Sequence, residues 1–361
     1  MSIALALIAR DEARCIARCL RSAAPHVDEL LVVDTGSRDD TRAIAAACGA
    51  RVLEFAWRDD FAAARNHALA QLDTDWVLML DADEWIEAGG ATLRPIDQAG
   101  TAPFVGQVQI LEAAEPGVAR LPPLWVSRWL PRGVHYAGRV HEQPQHALPL
   151  RRLELQVGHD GYLAAQRERK AGRNEALLRR ALQETPGNAY LHYQLGRERE
   201  IRADYAQADD QYARAAALLG WPPALPAQAA VLQARHPWLH DLVVRQLFSR
   251  KRAGRHAAGL AQARAEAPLW AHSPDFHFAA GDLLLDAALA QPAQAAELLP
   301  WIEASWLRCL ALGETPQLDG AIAGRGSYLA AHNLAVFHRT LGHAEQAAQF
   351  ERLAQARPGA D

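Results

Sequence analysis

Two aspartates separated by a single residue follow an apolar run, where Trp76-Val-Leu-Met-Leu80 leads into Asp81-Ala82-Asp83-Glu84. In an extended chain alternate side chains point the same way, so Asp81 and Asp83 would lie on one side. Carboxylate oxygens suit Mg²⁺, and substrate phosphates often complete its coordination. The run therefore predicts a site for Mg²⁺ or Mn²⁺ that also ligates a diphosphate, with an ordinary solvated turn as the alternative. The phosphate-binding motifs GxGxxG and GxxxxGK[ST] are absent from the sequence.

A second polar cluster contains His141-Glu142 and, further along the chain, His159. The zinc-protease motif HExxH requires two histidines on one helix with a fixed spacing. His146 lies one residue too far from His141, and Pro144 would break the helix between them, so the sequence argues against that motif. These residues are candidates for acid–base or metal chemistry, or are satisfied within the packed protein.

Strand-like and helical patterns alternate over the first hundred residues. The predicted strands are Ile3–Ala9, Leu30–Asp34, Arg51–Phe55 and Trp76–Leu80, and the predicted helices are Glu12–Ala23, Asp39–Cys48 and Asp60–Leu72. This order predicts a mainly parallel α/β sheet whose ligands bind at the carboxyl ends of the strands. Three of those ends carry polar residues: Arg10-Asp11-Glu12, Asp34-Thr35-Gly36-Ser37 and Asp81-Ala82-Asp83-Glu84.

Residues 100 to 162 show a less regular pattern. One further strand is predicted at Val105–Leu111, followed by proline- and tryptophan-rich loops around Pro122–Pro131. Long loops beside a sheet often bind ligands. Trp125 and Trp129 could stack on a sugar as part of an acceptor lid, or could belong to the core.

The rest of the chain is rich in alanine and almost continuously helix-forming. Within Ala189–Gly220, residues stand at the packing positions of a helix–turn–helix repeat of about 34 residues. Those residues are Leu195, Gly196, Ala203, Ala208, Tyr212 and Ala215. A related pattern near the end of the chain places Leu334, Ala335, Gly342 and Ala347. We therefore predict an α/β domain at residues 1–165 and an all-α tetratricopeptide-like domain at residues 166–361.

Composition excludes several kinds of partner. The 361 residues carry a net charge of −4, with an isoelectric point near 6.4, so no global positive field favours nucleic acid. The four cysteines contain no CxxC pair, which predicts a reduced, cytoplasmic protein. No stretch approaches the roughly 20 apolar residues that would span a bilayer, so no transmembrane segment is predicted.

Three runs of residues together resemble a known family. They are Leu31-Val-Val-Asp34-Thr35-Gly36-Ser37, Phe55-Ala-Trp57-Arg-Asp59-Asp60-Phe61-Ala-Ala-Ala-Arg65-Asn66 and Trp76-Val-Leu-Met-Leu-Asp81-Ala82-Asp83-Glu84. In order and spacing they are similar to the family 2 glycosyltransferases of the GT-A fold. The resemblance is closest to the bacterial subgroup that carries a C-terminal tetratricopeptide-like domain.

The resemblance implies a nucleotide-sugar donor site at the carboxyl ends of the first strands. Asp34 would accept the imide N–H of uracil, Asp83 would bind Mn²⁺ or Mg²⁺ and act in catalysis, and Glu142 would deprotonate the acceptor. Asp81 and His141 would also hold the metal, with His159 as another candidate. The donor-binding residues implied are Ala9, Arg10, Glu12, Asp34, Thr35, Arg65, Asn66, Asp81, Ala82 and Asp83.

The activity implied by the family is an inverting, metal-dependent transfer of a hexose from a nucleotide diphosphate sugar, UDP-linked, to a peptide, protein or glycan acceptor. The helical domain would select the acceptor or form a homodimer. Two alternatives stay open: a helical-repeat scaffold that binds nucleotide sugar without turnover, and a sugar-phosphate nucleotidyltransferase. The latter usually has a glycine-rich loop after its first strand, and Ile8-Ala-Arg-Asp-Glu12 contains no glycine.

Overall fold

The computed structural model describes residues 2–94, 102–112, 124–160 and 172–355. The chain divides into two compact units, Met1–Ala181 and Leu182–Asp361. The boundary that the sequence predicts between residues 165 and 166 lies outside the described residues. Each unit has its own hydrophobic cores.

The first unit is built on a mixed sheet. Its strands are β1 Ile3–Ala9, β2 Glu29–Asp34, β3 Arg51–Glu54, β4 Trp76–Asp81, β5 Glu84–Ala88, β6 Val105–Glu112, β7 Leu124–Pro131 and β10 Leu150–His159. Among the described residues the strand order is β3-β2-β1-β4-β7-β6-β10-β5. The pairs among β1 to β4 and the pair β6–β10 are parallel, whereas β7 runs antiparallel to β4 and β6, and β5 antiparallel to β10. A separate antiparallel pair is formed by β8 His135–Ala137 and β9 Gln143–Gln145.

Strand β1 is buried on both faces, which explains its continuous apolar sequence. Leu5 and Leu7 pack in the core that includes helix α1, Ile16–Ala23, whereas Ala4 and Ala6 pack in the core that includes helix α3, Phe61–Leu69. A third helix, α2, spans Thr41–Ala47. The five strands and three helices that the sequence predicts in this unit are therefore present, with ends shifted by a few residues.

The largest of these shifts is at the start of α1, which is predicted at Glu12 and observed at Ile16. Asp11 has a positive φ of 54°, and the Glu12 N–H donates to Thr41 Oγ1 at 2.8 Å. This hydrogen bond joins the loop after β1 to the first residue of α2. The chain therefore turns away from helical geometry before α1 begins.

The proline- and tryptophan-rich segment is wrongly predicted as a loop from Leu124 to Pro131, because these residues form β7 in the middle of the sheet. Trp129 is fully buried and stacks on Trp76 with ring centroids 5.3 Å apart. Burial excludes Trp129 from an acceptor lid. Trp125 is half-buried, and the Arg152 guanidinium lies 4.8 Å from its ring centroid.

A β-bulge interrupts the pairing of β6 with β7. Gly106 pairs with Trp129 and Gln107 with Ser127, so Arg128 has no residue opposite it. A bulge redirects the side chain of its extra residue and often occurs near functional sites. Gly106 permits the close approach of the strands, because a Cβ there would lie 2.7 Å from Trp129 Cβ.

Most of the described residues from 173 onward lie in helices. The helices are α4 Arg173–Glu184, α5 Ala189–Ile201, α6 Tyr205–Leu219, α7 Pro226–Arg235, α8 Leu239–Arg252, α9 His256–Glu266, α10 Pro274–Ala290, α11 Ala295–Leu312, α12 Tyr328–Thr340 and α13 Ala344–Gln355. Helices α5 and α6 coincide with the predicted repeat, in which Gly196 faces the buried ring of Tyr212. The predicted order, an α/β domain followed by tetratricopeptide-like helices, is confirmed. None of the helices in the described ranges is long and apolar enough to cross a membrane.

A segment between α11 and α12, residues 313–327, departs from simple helix–turn–helix repetition. Here it is called the linking segment. His240 Nδ1 of α8 lies 2.6 Å from the Asp319 carbonyl oxygen, and the Ile322 N–H donates to buried Asp275 of α10 at 2.9 Å. Gly320, with a φ of 72°, packs so tightly that a Cβ would lie 2.1 Å from Asp241 Oδ1. The linking segment therefore contacts two helices that precede it in the chain.

We expect Gly106→Ala to lower the free energy of unfolding of the first unit by about 1–3 kcal/mol, because the new methyl group would overlap Trp129. Gly187→Ala is the matched control, since no atom lies within 4 Å of a Cβ at that position. Urea denaturation followed by circular dichroism measures both. Equal stability of Gly106→Ala and the wild-type protein would contradict this account of the bulge.

Candidate active site

Strand β4 ends at Asp81, and Ala82 and Asp83 form a tight turn before β5 begins at Glu84. The Asp81 N–H donates to Glu84 Oε2 at 2.8 Å across this turn. The expectation that Asp81 and Asp83 lie on one side of an extended segment is therefore wrong. The turn gives the two aspartates different neighbours.

Asp81 occupies the centre of a chain of alternating charges, Glu142–Arg65–Asp81–Arg128–Glu84. Arg65 Nη2 donates to Asp81 Oδ1 at 2.6 Å, and Arg128 Nη2 donates to Asp81 Oδ2 at 2.6 Å. At the two ends, Arg65 Nε donates to Glu142 Oε1 and Arg128 Nη2 to Glu84 Oε1, each at 2.6 Å. The Asp81 side chain is 34% exposed, whereas the other four are between 3% and 11% exposed. This charge chain of five side chains is thus mostly buried, and Asp81 is its most exposed member.

The charge chain perturbs the two carboxylates of the turn in opposite directions. Burial would raise the pKa of Asp81, but the guanidinium groups of Arg128 and Arg65 outweigh it and hold that pKa well below its usual range. Burial raises the pKa of Glu84, because it outweighs the favourable field of Arg128, and the negative charge of Asp81 adds to the increase. Asp81 is therefore the carboxylate of this turn that is firmly ionised.

Asp83 lies on the other side of the turn, near the end of β10. Its Oδ2 is 3.6 Å from His159 Nε2, and the Asp160 N–H donates to the Asp83 carbonyl at 3.4 Å. Asp160 receives a bidentate bond from Arg14 at 2.7 and 3.0 Å and a third bond from Arg18 at 2.5 Å. Burial would raise the pKa of Asp160, but these hydrogen bonds outweigh it and lower that pKa.

The arrangement fits a metal ion that is shared with a substrate. No three His, Cys, Asp or Glu side chains in the described part of the chain are grouped as a complete cage requires, so Asp81, Asp83 and His141 do not form one. Both oxygens of Asp81 already accept from guanidinium groups. Asp83 with His159 offers one carboxylate and one imidazole, and Mg²⁺ commonly uses only one or two carboxylates together with substrate phosphates.

Asp34 follows β2 at the same edge of the sheet and is 1% exposed. Its Oδ1 accepts from the N–H groups of Gly36 and Ser37 at 3.1 and 3.0 Å. Its buried Oδ2 has no hydrogen-bond partner among the described residues. Thr35 donates from both its N–H and its hydroxyl to the Ala9 carbonyl, at 2.8 and 3.1 Å, which aligns the ends of β1 and β2. Asp34 therefore presents one unused acceptor.

The first loop contributes Arg10 and Glu12, which the sequence implies as donor-binding residues. The Arg10 side chain is exposed, and Glu12 is half-buried and accepts from Cys15 Sγ at 3.1 Å. Ala82, which is also implied, is 4% exposed within the turn after β4. These roles in donor binding stay predictions.

Helix α3 carries Arg65 and Asn66, which have different partners. Asp60 caps the helix by accepting from the Ala63 N–H at 2.8 Å. Arg65 points to the charge chain, whereas the Asn66 amide both donates to and accepts from the Tyr136 backbone, at 2.9 and 2.7 Å. The structure therefore uses Asn66 to hold β8 beside α3, and a contact of Asn66 with the donor stays a prediction.

The loop between β8 and β9 contains His141 and Glu142. His141 has a positive φ of 51°, a conformation that is costly for a residue with a side chain and is often kept at functional sites. The Arg139 carbonyl accepts from the Phe61 N–H at 2.8 Å, so this loop is tied to the start of α3. Glu142 is 10% exposed and is fixed by Arg65. The structure thus joins Glu142 to the charge chain.

Sequence reasoning missed Arg128, Glu84 as its partner, and the pair Arg14 and Arg18. Arg128 is missed because its segment is predicted as a loop. An arginine between apolar and aromatic residues in Val126-Ser-Arg128-Trp129 was a usable signal, since a buried guanidinium needs carboxylate partners. The residues Arg14 and Arg18 gave no signal before Asp160 was located.

Comparison with known families agrees with this geometry. Residues 5–110 match the family described as Glycosyl transferase family 2. The first unit carries a family 2 glycosyltransferase domain. The resemblance seen in the sequence is confirmed, and so is the GT-A fold class followed by tetratricopeptide-like helices.

Several curated relatives of this glycosyltransferase domain match part of the chain. A TPR repeat-containing protein of Synechococcus elongatus is 44% identical over 35% of this chain and 32% of its own length. An uncharacterized glycosyltransferase of Rickettsia felis is 41% identical over 22% and 27%. The SPbeta prophage-derived glycosyltransferase SunS of Bacillus subtilis is 26% identical over 55% and 49%. The chain therefore spans about a quarter to a half of the length of these relatives.

Solved structures overlap the glycosyltransferase domain only in part. Glucosyl-3-phosphoglycerate synthase from Mycobacterium tuberculosis, in complex with Mn²⁺, UDP and glucosyl-3-phosphoglycerate, is 28% identical over 31% of this chain and 44% of that one, with a TM-score of 0.26. TarS from S. aureus is 13% identical over 69% and 54%, with a TM-score of 0.40. At these TM-scores neither structure carries an argument about this chain.

We expect the stability difference between the wild-type protein and Asp160→Asn to depend on pH. Because the pKa of Asp160 is lowered on folding, its stabilising effect is fully present above its unfolded pKa of about 3.9 and is lost as the pH falls through the lower folded value. The urea midpoints of the wild-type protein and Asp160→Asn should therefore differ more at pH 7 than at pH 3.

Asp73→Asn serves as the control for this measurement. Asp73 is fully exposed and, among the described residues, pairs with Arg132 at the surface, so its removal should change the midpoint little at either pH. A difference between wild type and Asp160→Asn that grows toward pH 3 would contradict the assigned sign.

Proposed function

We propose that this protein transfers a hexose from a nucleotide diphosphate sugar, UDP-linked, to a peptide, protein or glycan acceptor, with inversion at the anomeric carbon and with a divalent metal. The observation that carries the proposal is the common sheet edge of Asp34, with its unused carboxylate oxygen, and the acidic turn at Asp81 and Asp83. Adjacent parallel strands β2, β1 and β4 bring these residues to one edge. Open α/β sheets bind their ligands at this edge.

Asp34 supports recognition of uracil. A base is selected most strongly when a buried polar group of the site would lose its hydrogen bond with the wrong ligand. The unused Oδ2 of Asp34 is an acceptor, and the imide N–H of uracil is a matching donor. The backbone bonds to Oδ1 fix the direction in which this acceptor faces.

Asp83 and His159 support metal binding. Asp83 Oδ2 and His159 Nε2 lie 3.6 Å apart, whereas both oxygens of Asp81 accept from guanidinium groups. When bound, Mn²⁺ or Mg²⁺ would neutralise the diphosphate that leaves as the glycosidic bond breaks. In this proposal Asp81 orients the donor through its fixed carboxylate, and His141 stays a predicted ligand.

Glu142 is the proposed base. It would accept the proton of the acceptor nucleophile as that atom attacks the anomeric carbon from the face opposite the departing diphosphate. A single guanidinium, that of Arg65, separates Glu142 from Asp81 at the donor edge. The Asp160 carboxylate is a poor proton acceptor, because it receives three bonds from Arg14 and Arg18 and has a lowered pKa.

The helical unit is proposed to select the acceptor or to form a homodimer. Tetratricopeptide-like stacks offer extended surfaces suited to a peptide or a partner helix. The residues proposed for the donor all lie in the first unit.

We expect Asp34→Asn to reverse nucleotide preference. An asparagine that keeps its oxygen toward Gly36 and Ser37 would present an N–H₂ donor where Oδ2 stood, opposite the imide donor of uracil. UDP affinity should fall about 10- to 100-fold, while CDP, whose cytosine N3 is an acceptor, should gain relative to UDP. Calorimetric titration measures both nucleotides, with exposed Asp40→Asn as control. Unchanged preference in Asp34→Asn would refute the uracil assignment.

We expect Asp83→Asn to make UDP binding independent of metal. Wild-type protein should bind UDP about 10- to 100-fold more tightly with Mn²⁺ than with EDTA, since the cation screens the diphosphate from nearby carboxylates. Asp83→Asn should bind equally in both conditions, and Asp73→Asn should behave like wild type. Equal affinity of the wild-type protein with Mn²⁺ and EDTA would exclude the metal from donor binding.

We expect Glu142→Gln to keep UDP binding and lose transfer. The amide oxygen can still accept from Arg65 Nε, whereas the proton acceptor is gone, so kcat should fall about 10²- to 10⁴-fold. Release of UDP from a panel of UDP-sugars, to acceptor or water, measures turnover. Exposed Glu154→Gln is the control. Near-normal turnover by Glu142→Gln would assign the base to another residue.

A further inference from the structure

Arg128 binds the residues on both sides of the turn that follows β4. Its Nη2 donates both to Asp81 Oδ2 and to Glu84 Oε1, each at 2.6 Å. Arg65 binds the other oxygen of Asp81. A carboxylate held on both oxygens cannot rotate about its last bond, so the two arginines together set the plane of the Asp81 carboxylate.

The backbone of Arg128 is unusually well anchored for a residue that contacts a turn. It lies at the bulge of β7, so its side chain is aimed independently of the strand's regular alternation. The next residue, Trp129, is fully buried and stacked on Trp76, and Gly106 lets β6 approach closely at the same point. Arg128 therefore projects from a rigid base toward Asp81.

Charge balance gives Arg128 a second effect on the turn. The carboxylates of Asp81 and Glu84 both accept from Arg128 Nη2, each at 2.6 Å, and two ionised carboxylates so close to one atom would repel each other. Arg128 lies between them and offsets that repulsion. Loss of Arg128 would leave Glu84, which is 3% exposed, without the guanidinium that bonds to it.

We infer that Arg128 is a positioning residue for donor binding, which holds Asp81 in the orientation that the nucleotide diphosphate sugar requires. This inference rests on the proposed function. Arg128 acts through Asp81 and does not itself touch the donor. The competing explanation is that Arg128 serves only to balance charge within the fold.

The two explanations separate in three variants. Arg128→Met removes the hydrogen bond to Asp81 and leaves the buried Glu84 carboxylate without its Arg128 partner. The double variant Arg128→Met with Glu84→Gln also removes the negative charge of Glu84, but it does not restore the hydrogen bond to Asp81. Arg132→Met is the matched control, because Arg132 directly follows β7 yet is exposed and pairs with Asp73 at the surface.

Two measurements on the full-length protein decide between them. Hydrogen exchange of the turn in ligand-free protein should be faster in Arg128→Met and unchanged in Arg132→Met. UDP affinity with Mn²⁺ should fall about 10- to 100-fold in Arg128→Met, the range typical for residues that orient a ligand-binding side chain. The double variant should regain thermal stability but not UDP affinity.

Three results would overturn the inference. They are unchanged exchange of the turn in Arg128→Met, wild-type UDP affinity in Arg128→Met, and recovery of both stability and affinity in the double variant. Failure of the proposed function is recognised separately, because wild-type protein and Arg132→Met would then bind no UDP. In that event the donor role of Arg128 falls with it.

Discussion

The bonds that two guanidinium groups make to the single carboxylate of Asp81 organise the first unit around its acidic turn. Arg65 comes from helix α3, Arg128 from strand β7, and Asp81 from the end of β4. A buried ion pair is stabilising only when its geometry is good and its remaining polar atoms are satisfied. These bonds thus require three separate elements to meet at one point, and a small displacement of any of them would leave a buried charge without its partner.

The two arginines that hold Asp81 also fix further residues, one set on each side of it. On one side Arg65 fixes Glu142, and Asn66 on the same helix holds the backbone of Tyr136, so α3 carries the loop that contains Glu142. On the other side Arg128 fixes Glu84 at the start of β5, next to the turn that presents Asp83. Ion pairs therefore connect the sheet edge proposed to bind the donor with the loop that carries the proposed base.

The sequence predicts well those parts of this structure that local patterns determine. The strands β1, β2 and β4 are recognisable because parallel strands buried on both faces read as continuous apolar runs. Asp34, Asp81 and Asp83 are found because they lie at or just after the ends of such strands. Strand β7 is missed because its place depends on pairing with β4 and β6. Arg128 is missed for the same reason, since the bulge that aims it exists only after β6 and β7 pair.

The linking segment of the second unit has a consequence for how that unit unfolds. In a simple helical solenoid each repeat contacts only its neighbours, so unfolding can proceed one repeat at a time from either end. Residues 313–327 lie between α11 and α12, yet they bond to His240 in α8 and Asp275 in α10. Unfolding of the linking segment would break its contacts with α8 and α10, so the segment and these two helices should lose their structure together.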